Sequence, residues 1–212
     1  MCAIAGVIGL ICDDNAVLKM MHTMLHRGPD GNGCYSDPCC TLLHTRLAII
    51  DLEGGRQPME LQWAGEHYVI SYNGELYNTD EVKENLISKG HKFTGSSDTE
   101  VVLKAYIEYK EKCCQMLNGI FAFAIYDIEE EKLFLCRDRI GVKPLFYYQY
   151  NDGLLFASEI KTLLASGVVK PIISEEGLYE ILFLGPARTC GNGIFKNVCE
   201  LKPGEYATYE KG

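Results

Sequence analysis

Apolar positions change period along the chain, and each change marks an element. Residues 2–10 are small or β-branched at nearly every position, which predicts a strand buried on both faces. Residues 15–25 place Leu18, Met21 and Leu25 at helical spacing and then meet the breaker run His26-Arg27-Gly28-Pro29-Asp30-Gly31. Residues 41–44 and 67–72 read as strands, and Asn73-Gly74 after the second reads as a hairpin turn. A helix is expected over residues 80–89 on Val82, Leu86 and Ile87. Ser97-Asp98-Thr99-Glu100 has the form of a capping box. The helix it opens runs to about Lys112, with Val101, Val102, Ala105, Tyr106 and Tyr109 on one side.

Strands dominate the second half. Residues 120–126 are apolar on both faces and predict a central strand. Residues 132–136, 145–150 and 154–157 continue the sheet. Short helices follow at 158–164 and 175–182, and residues 204–209 form a last strand. Strands, a helical pair, then more strands argue for an α+β fold with mixed, mostly antiparallel sheets.

Composition narrows the function classes. The 212 residues fit one domain, or one large and one partial, and 47% hydrophobic residues suffice for a sizeable core. No apolar run approaches the roughly 20 residues of a membrane span, and no basic segment precedes the first apolar stretch as in a signal peptide. A net charge of -9 argues against a nucleic-acid footprint. These features predict a soluble, cytoplasmic protein. The ten cysteines include the adjacent pairs Cys39-Cys40 and Cys113-Cys114 but no C-x-x-C pair. The adjacent pairs suit neither tetrahedral ligation nor ordinary bridges, and most of the cysteines read as small buried hydrophobes in a reducing compartment.

Cys2 differs from the rest by position. Methionine is normally removed before a small residue, so the mature chain is expected to begin with this cysteine. It would then carry a nucleophilic thiol and an α-amine titrating near ~8 on one residue. That pair suffices for acyl transfer without a histidine; alternatively, Cys2 only begins a buried strand. Four polar clusters interrupt the apolar pattern: 26–30, 44–51, 72–78 and 95–100. Each has a structural alternative, such as a tight turn at Asn73-Gly74, a first-turn helix acid at Asp98, or a paired charge at Arg46.

Together these runs closely resemble the glutamine amidotransferase domain of glutamine-hydrolysing asparagine synthetases, within the N-terminal-nucleophile hydrolases. The resemblance rests on Cys2, His26-Arg27-Gly28-Pro29-Asp30, Arg46-Leu47-Ala48-Ile49-Ile50-Asp51, Asn73-Gly74-Glu75-Leu76-Tyr77-Asn78 and Ser97-Asp98-Thr99-Glu100. It continues through residues 119–124, 137–145 and 157–161, covering essentially the whole chain in order. It implies a four-layer α-β-β-α sandwich of antiparallel sheets in one amidotransferase domain over residues 1–212. It also implies L-glutamine as substrate: Arg46 against the α-carboxylate, Asp98 and Glu75 on the ammonium, and backbone groups of Leu47, Ala48, Ile49 and Ile50 lining the pocket. Cys2 would attack the amide carbon while Asn73 and Gly74 hold the oxyanion. The hydrolase step would need no metal or cofactor. ATP and Mg are expected only in a C-terminal synthetase domain, where the ammonia would convert aspartate to asparagine. A homodimer is a possible assembly.

The chain departs from the family pattern twice. Ala3 stands where the family usually has glycine, at a cost of ~1–2 kcal/mol if the backbone there were left-handed; an extended Ala3 would be tolerated. The Ser-Gly-Gly-x-Asp-Ser loop of the synthetase domain is absent from the sequence, so the chain reads as an excised domain rather than a stand-alone one. Two other functions fit the residues: a non-catalytic glutamine-binding or regulatory module, and an amidotransferase serving a different acceptor.

Overall fold

A computed structural model describes residues 1–10, 12–48, 55–185 and 187–211. In chain order the elements are β1 (Ala3–Ile8), α1 (Asp14–Met24), β2 (Gly31–Ser36), β3 (Cys40–Arg46), β4 (Met59–Trp63), β5 (Glu66–Leu76), α2 (Thr79–Ser88), α3 (Asp98–Tyr109) and α4 (Cys113–Met116). They continue as β6 (Gly119–Asp127), β7 (Lys132–Arg137), β8 (Phe146–Tyr150), β9 (Gly153–Ala157), α5 (Ile160–Ala165), α6 (Glu175–Tyr179), β10 (Val198–Glu200) and β11 (Tyr206–Tyr209). One sheet has the order β10-β8-β9-β1-β3-β2 and the other β11-β7-β6-β5-β4.

Every pairing between these strands is antiparallel, so the sheets are not mixed. Nor do residues 132–157 continue one sheet. β7 stays beside β6, whereas β8 and β9 cross to the sheet of β1.

The alternation of side chains along the central strands explains the layering. From β6, Ala122, Ala124 and Tyr126 face Ile4 and Ile8 of β1 in a core between the sheets. Phe121, Phe123 and Ile125 point the other way, onto Val82 and Leu86 of α2 and Val101, Val102 and Ala105 of α3. On the far side of the first sheet, Ala3, Ala5 and Val7 meet Met20 and Met24 of α1 and Leu163 of α5. Two sheets face to face with helices on both outer surfaces make the expected four-layer α-β-β-α sandwich. Strands buried on both faces, such as β1 and β6, carry continuous apolar runs for that reason.

Four local expectations are corrected. The buried face of α1 is carried by Met20 and Met24, while Leu18 is 68% exposed. Leu18, Met21 and Leu25 are helically spaced, but the docking angle puts the neighbouring stripe inward. Asn73-Gly74 is no turn: β5 runs through both, pairing Asn73 with Ala122 and Gly74 with Phe121. Ser97 caps α3 by accepting from the Thr99 N–H at 3.2 Å, but Glu100 does not return the bond. Its carboxylate instead accepts from the N–H groups of Thr94 and Gly95 and pairs with Lys104. The continuous helix ends at Tyr109, before about Lys112, because Lys110 leaves the helical region with φ 49° and ψ -136°.

Candidate active site

Cys2 lies immediately before β1, held by the strands and loops beside it. Ala3 pairs with Thr45 of β3, so the end of β3 lies against the cysteine. The Leu47 N–H donates to Cys2 Sγ at 3.4 Å, and the thiol faces the Leu47 carbonyl at 3.7 Å. Arg27, almost fully buried, donates from Nε to the Cys2 carbonyl at 3.0 Å and from Nη1 to Glu159 at 3.2 Å. Next to it, Gly28 passes so close to β3 that a β-carbon would stand 2.3 Å from the Thr45 carbonyl carbon. On the opposite flank, Ser158 accepts the Ile4 N–H on its hydroxyl at 3.0 Å and donates its own N–H to the Ile4 carbonyl. The His-Arg-Gly-Pro-Asp run and the Ser158-Glu159 pair thus clamp the strand that carries the cysteine. Ala3 has no left-handed backbone and sits in β1 as expected.

The opposing wall comes from β5. The Phe121 N–H donates to the Asp138 carboxylate Oδ2 at 3.3 Å and its carbonyl accepts the Asp138 N–H, so both groups point toward β7 and the facing Gly74 pair is a non-hydrogen-bonded one. The Tyr72 N–H therefore points away from β6, to Gln57 Oε1 at 2.6 Å, and the Leu76 N–H to Asp98 Oδ2 at 3.1 Å. Gly74 lies between them in the same alternation, and its N–H faces the same side. A β-carbon at Gly74 would meet Phe121 Cβ at 2.6 Å and the Ile120 carbonyl at 2.7 Å, which explains the glycine. Asn73 is 2% exposed, and its Nδ2 has no hydrogen-bond partner among the described residues. A buried amide donor left open is costly unless something else fills the place.

A cavity of about 140 Å³ is lined by Cys2, Arg46, Leu47, Asn73, Gly74, Glu75 and Asp98, together with Met1. Of the residues expected at the site, these seven are brought together. Ala48 does not line the cavity; its N–H is taken by Asp30 Oδ2 at 2.8 Å. Ile49 and Ile50 lie outside the described residues. The further liners with no role from sequence include Tyr72, Gln57, Thr99 and Lys143. Tyr72, Thr99 and Lys143 fall inside the quoted runs, but Gln57 stands in no motif. Its amide bridges the Tyr72 N–H and Thr99 Oγ1, a link that only folding creates. Lys143 arrives on the loop after β7, where the buried Asp138 carboxylate accepts the N–H groups of Ile140, Gly141, Val142 and Lys143.

Electrostatics distinguish the polar groups. Burial raises Asp98 above the usual carboxylate range, against the hydrogen bonds from the Leu76 N–H and the Tyr72 hydroxyl that favour its charge. Burial pushes the Tyr72 phenol well up, reinforced by Asp98 beside it, so it stays a neutral donor. His44, behind the site, is lowered to about 4 by burial. It meets the Tyr72 carbonyl through Nε2 at 3.1 Å, a bond that crosses between the sheets.

The model of the glutamine amidotransferase domain family matches residues 1–212. The chain is 45% identical to asparagine synthetase [glutamine-hydrolyzing] 3 of Bacillus subtilis, over all of this chain and 35% of that protein. It is 41% identical to asparagine synthetase [glutamine-hydrolyzing] 1 of the same organism, over 78% of this chain and 27% of that protein. The chain therefore spans about a third of the length of the curated relatives it matches. Among solved structures, a glutamine phosphoribosylpyrophosphate amidotransferase from B. subtilis superimposes with a TM-score of 0.65 at 21% identity. That match covers 78% of this chain and 43% of the other, a likeness of fold alone. On the family match over its whole length, this chain belongs to the glutamine amidotransferase domain family.

Proposed function

We propose that this domain hydrolyses L-glutamine to L-glutamate and ammonia through a γ-glutamyl thioester on Cys2. The open Asn73 Nδ2 donor, in the same cavity as the Cys2 thiol, carries the reading. Arg46 pairs with the substrate carboxylate, and Asp98 and Glu75 take its ammonium. Once Met1 is removed, the α-amine of Cys2 accepts the thiol proton as sulfur attacks the amide carbon. The developing oxyanion is held by Asn73 Nδ2 and the Gly74 N–H. The amine returns the proton to the departing nitrogen, ammonia leaves, and water cleaves the thioester by the same route.

The hydrolysis uses no cofactor in this reading. The ammonia is passed to a C-terminal synthetase domain, which uses ATP and Mg to convert aspartate to asparagine. The length and names of the curated relatives support that assignment. Among the described residues no helix is long and apolar enough to cross a membrane, in keeping with a cytoplasmic enzyme. We take residues 1–212 as one domain, since the core between the sheets draws on residues from Ile4 to Leu201.

Glutamate release by the chain with its N-terminus verified as Cys2 tests the reading. Replacement Cys2→Ala should abolish release while leaving the circular dichroism spectrum unchanged. Residual turnover at the parent rate in that variant would refute the thioester route.

A further inference from the structure

The sulfurs of Cys114, in α4, and Cys136, in β7, lie 3.1 Å apart. Neither lines the Cys2 cavity, and nothing in glutamine hydrolysis uses them. A disulfide bond is ~2.05 Å long, so closure needs the two sulfurs to approach by about 1 Å. Cys114 is half-buried and Cys136 buried. Both open onto a separate cavity of about 370 Å³, lined also by Lys112, Arg137 and Arg139, through which a small oxidant can arrive. The two thiols differ in acidity. Hydrogen bonds from the Cys113 and Cys136 thiols hold Cys114 below the usual thiol range, against burial. Cys136, which donates to Cys114 and is buried, is pushed well up. Such a pair has one sulfur prepared to attack and one to resolve.

We propose that Cys114 and Cys136 form a reversible dithiol–disulfide site, oxidised by a hydroperoxide and reduced by a small-molecule thiol. The Cys114 thiolate attacks the peroxide, forming an S–O bond as the O–O bond breaks. The leaving alkoxide or hydroxide takes up a proton, and a sulfenic acid remains. The Cys136 sulfur then attacks the Cys114 sulfur, forming S–S as the S–O bond breaks, and the released hydroxide takes the Cys136 proton to become water. In sum, two thiols and one hydroperoxide give one disulfide, one alcohol (or water) and one water. Reduction by two equivalents of thiol reverses the oxidation state by exchange.

The test treats the full chain with hydrogen peroxide, blocks remaining thiols under denaturing conditions and digests with trypsin without reduction. Cleavage after Lys112, Lys132 and Arg137 separates Cys114 from Cys136 into peptides 113–132 and 133–137. The expected product is these two peptides joined, two hydrogens lighter than their sum, with fragmentation placing the link on Cys114. Dithiothreitol should restore both linear peptides. In Cys114→Ser, judged folded by circular dichroism, Cys136 should remain fully alkylatable. The proposal is overturned if Cys136 stays alkylatable in the oxidised parent, if Cys114 proceeds to the sulfinic acid instead, or if the link maps to Cys113.

Discussion

Asn73 shows how a single residue changes meaning on folding. In the sequence it precedes glycine, and that pair signals a turn. In the structure it lies inside β5, buried, its amide nitrogen without a partner among the described residues, and it lines the cavity that holds Cys2. Because that nitrogen has no partner among the described residues, Asn73→Ala removes a donor without orphaning another group among them. Glutamine turnover should fall about 10²–10³-fold in kcat, equivalent to about 2.7–4 kcal/mol, with little change in unfolding free energy. Steady-state kinetics beside urea denaturation checks both halves, and an unchanged kcat would remove Asn73 from the oxyanion site. Cys2 and Arg46 were legible because their chemistry is carried by the side chain itself. Gln57 was not, because its importance lies in bridging β5 to α3, which no spacing along the chain encodes.

At the scale of the element, β5 does most to shape the site. Its alternation sends the N–H groups of Tyr72 and Leu76 to Gln57 and Asp98, with Gly74 between them. The strand also passes the Phe121 side chain so closely that only a hydrogen fits at Gly74. Gly74→Ala should therefore cost about 1–3 kcal/mol of stability through overpacking. It should also lower glutaminase activity, because the neighbouring N–H shifts with the strand. Thermal denaturation giving a parent-like midpoint would contradict this account. Periodicity identified β1, β6, β7 and β9 because strands buried on both faces are mostly apolar, and it found only the first part of β5, before Asn73. It did not find β2 or β4, whose residues are mostly half-buried or exposed. Their strand character comes from pairing with β3 and β5 rather than from their own pattern.

Across the whole molecule, the two sheets are joined near the site by buried polar bonds: Ser71 Oγ donates to the Leu43 carbonyl, and His44 Nε2 meets the Tyr72 carbonyl. The His44 imidazole titrates near 6.5 when unfolded but near 4 in the fold, because burial disfavours its charge. Between those values the unfolded chain binds the extra proton, so stability is fully present above about pH 6.5 and falls as pH is lowered toward 4. At ~1.36 kcal/mol per pH unit the loss approaches roughly 3 kcal/mol. Urea unfolding at neutral and acid pH should show that extra loss in the parent and not in His44→Asn. Equal pH slopes in the two would exclude the histidine as its source. The sequence by itself determined the α+β class, the candidacy of Cys2 as nucleophile and most of the side chains that line the cavity with it. Periodic burial and the chemistry of single side chains are properties of residues in order along the chain. Only the tertiary structure decided that Asn73 and Gly74 lie in a strand, that Gln57 and Lys143 line the cavity, and that Cys114 meets Cys136. Those facts depend on which surfaces of distant elements face one another, and that is fixed by how the sheets and helices pack.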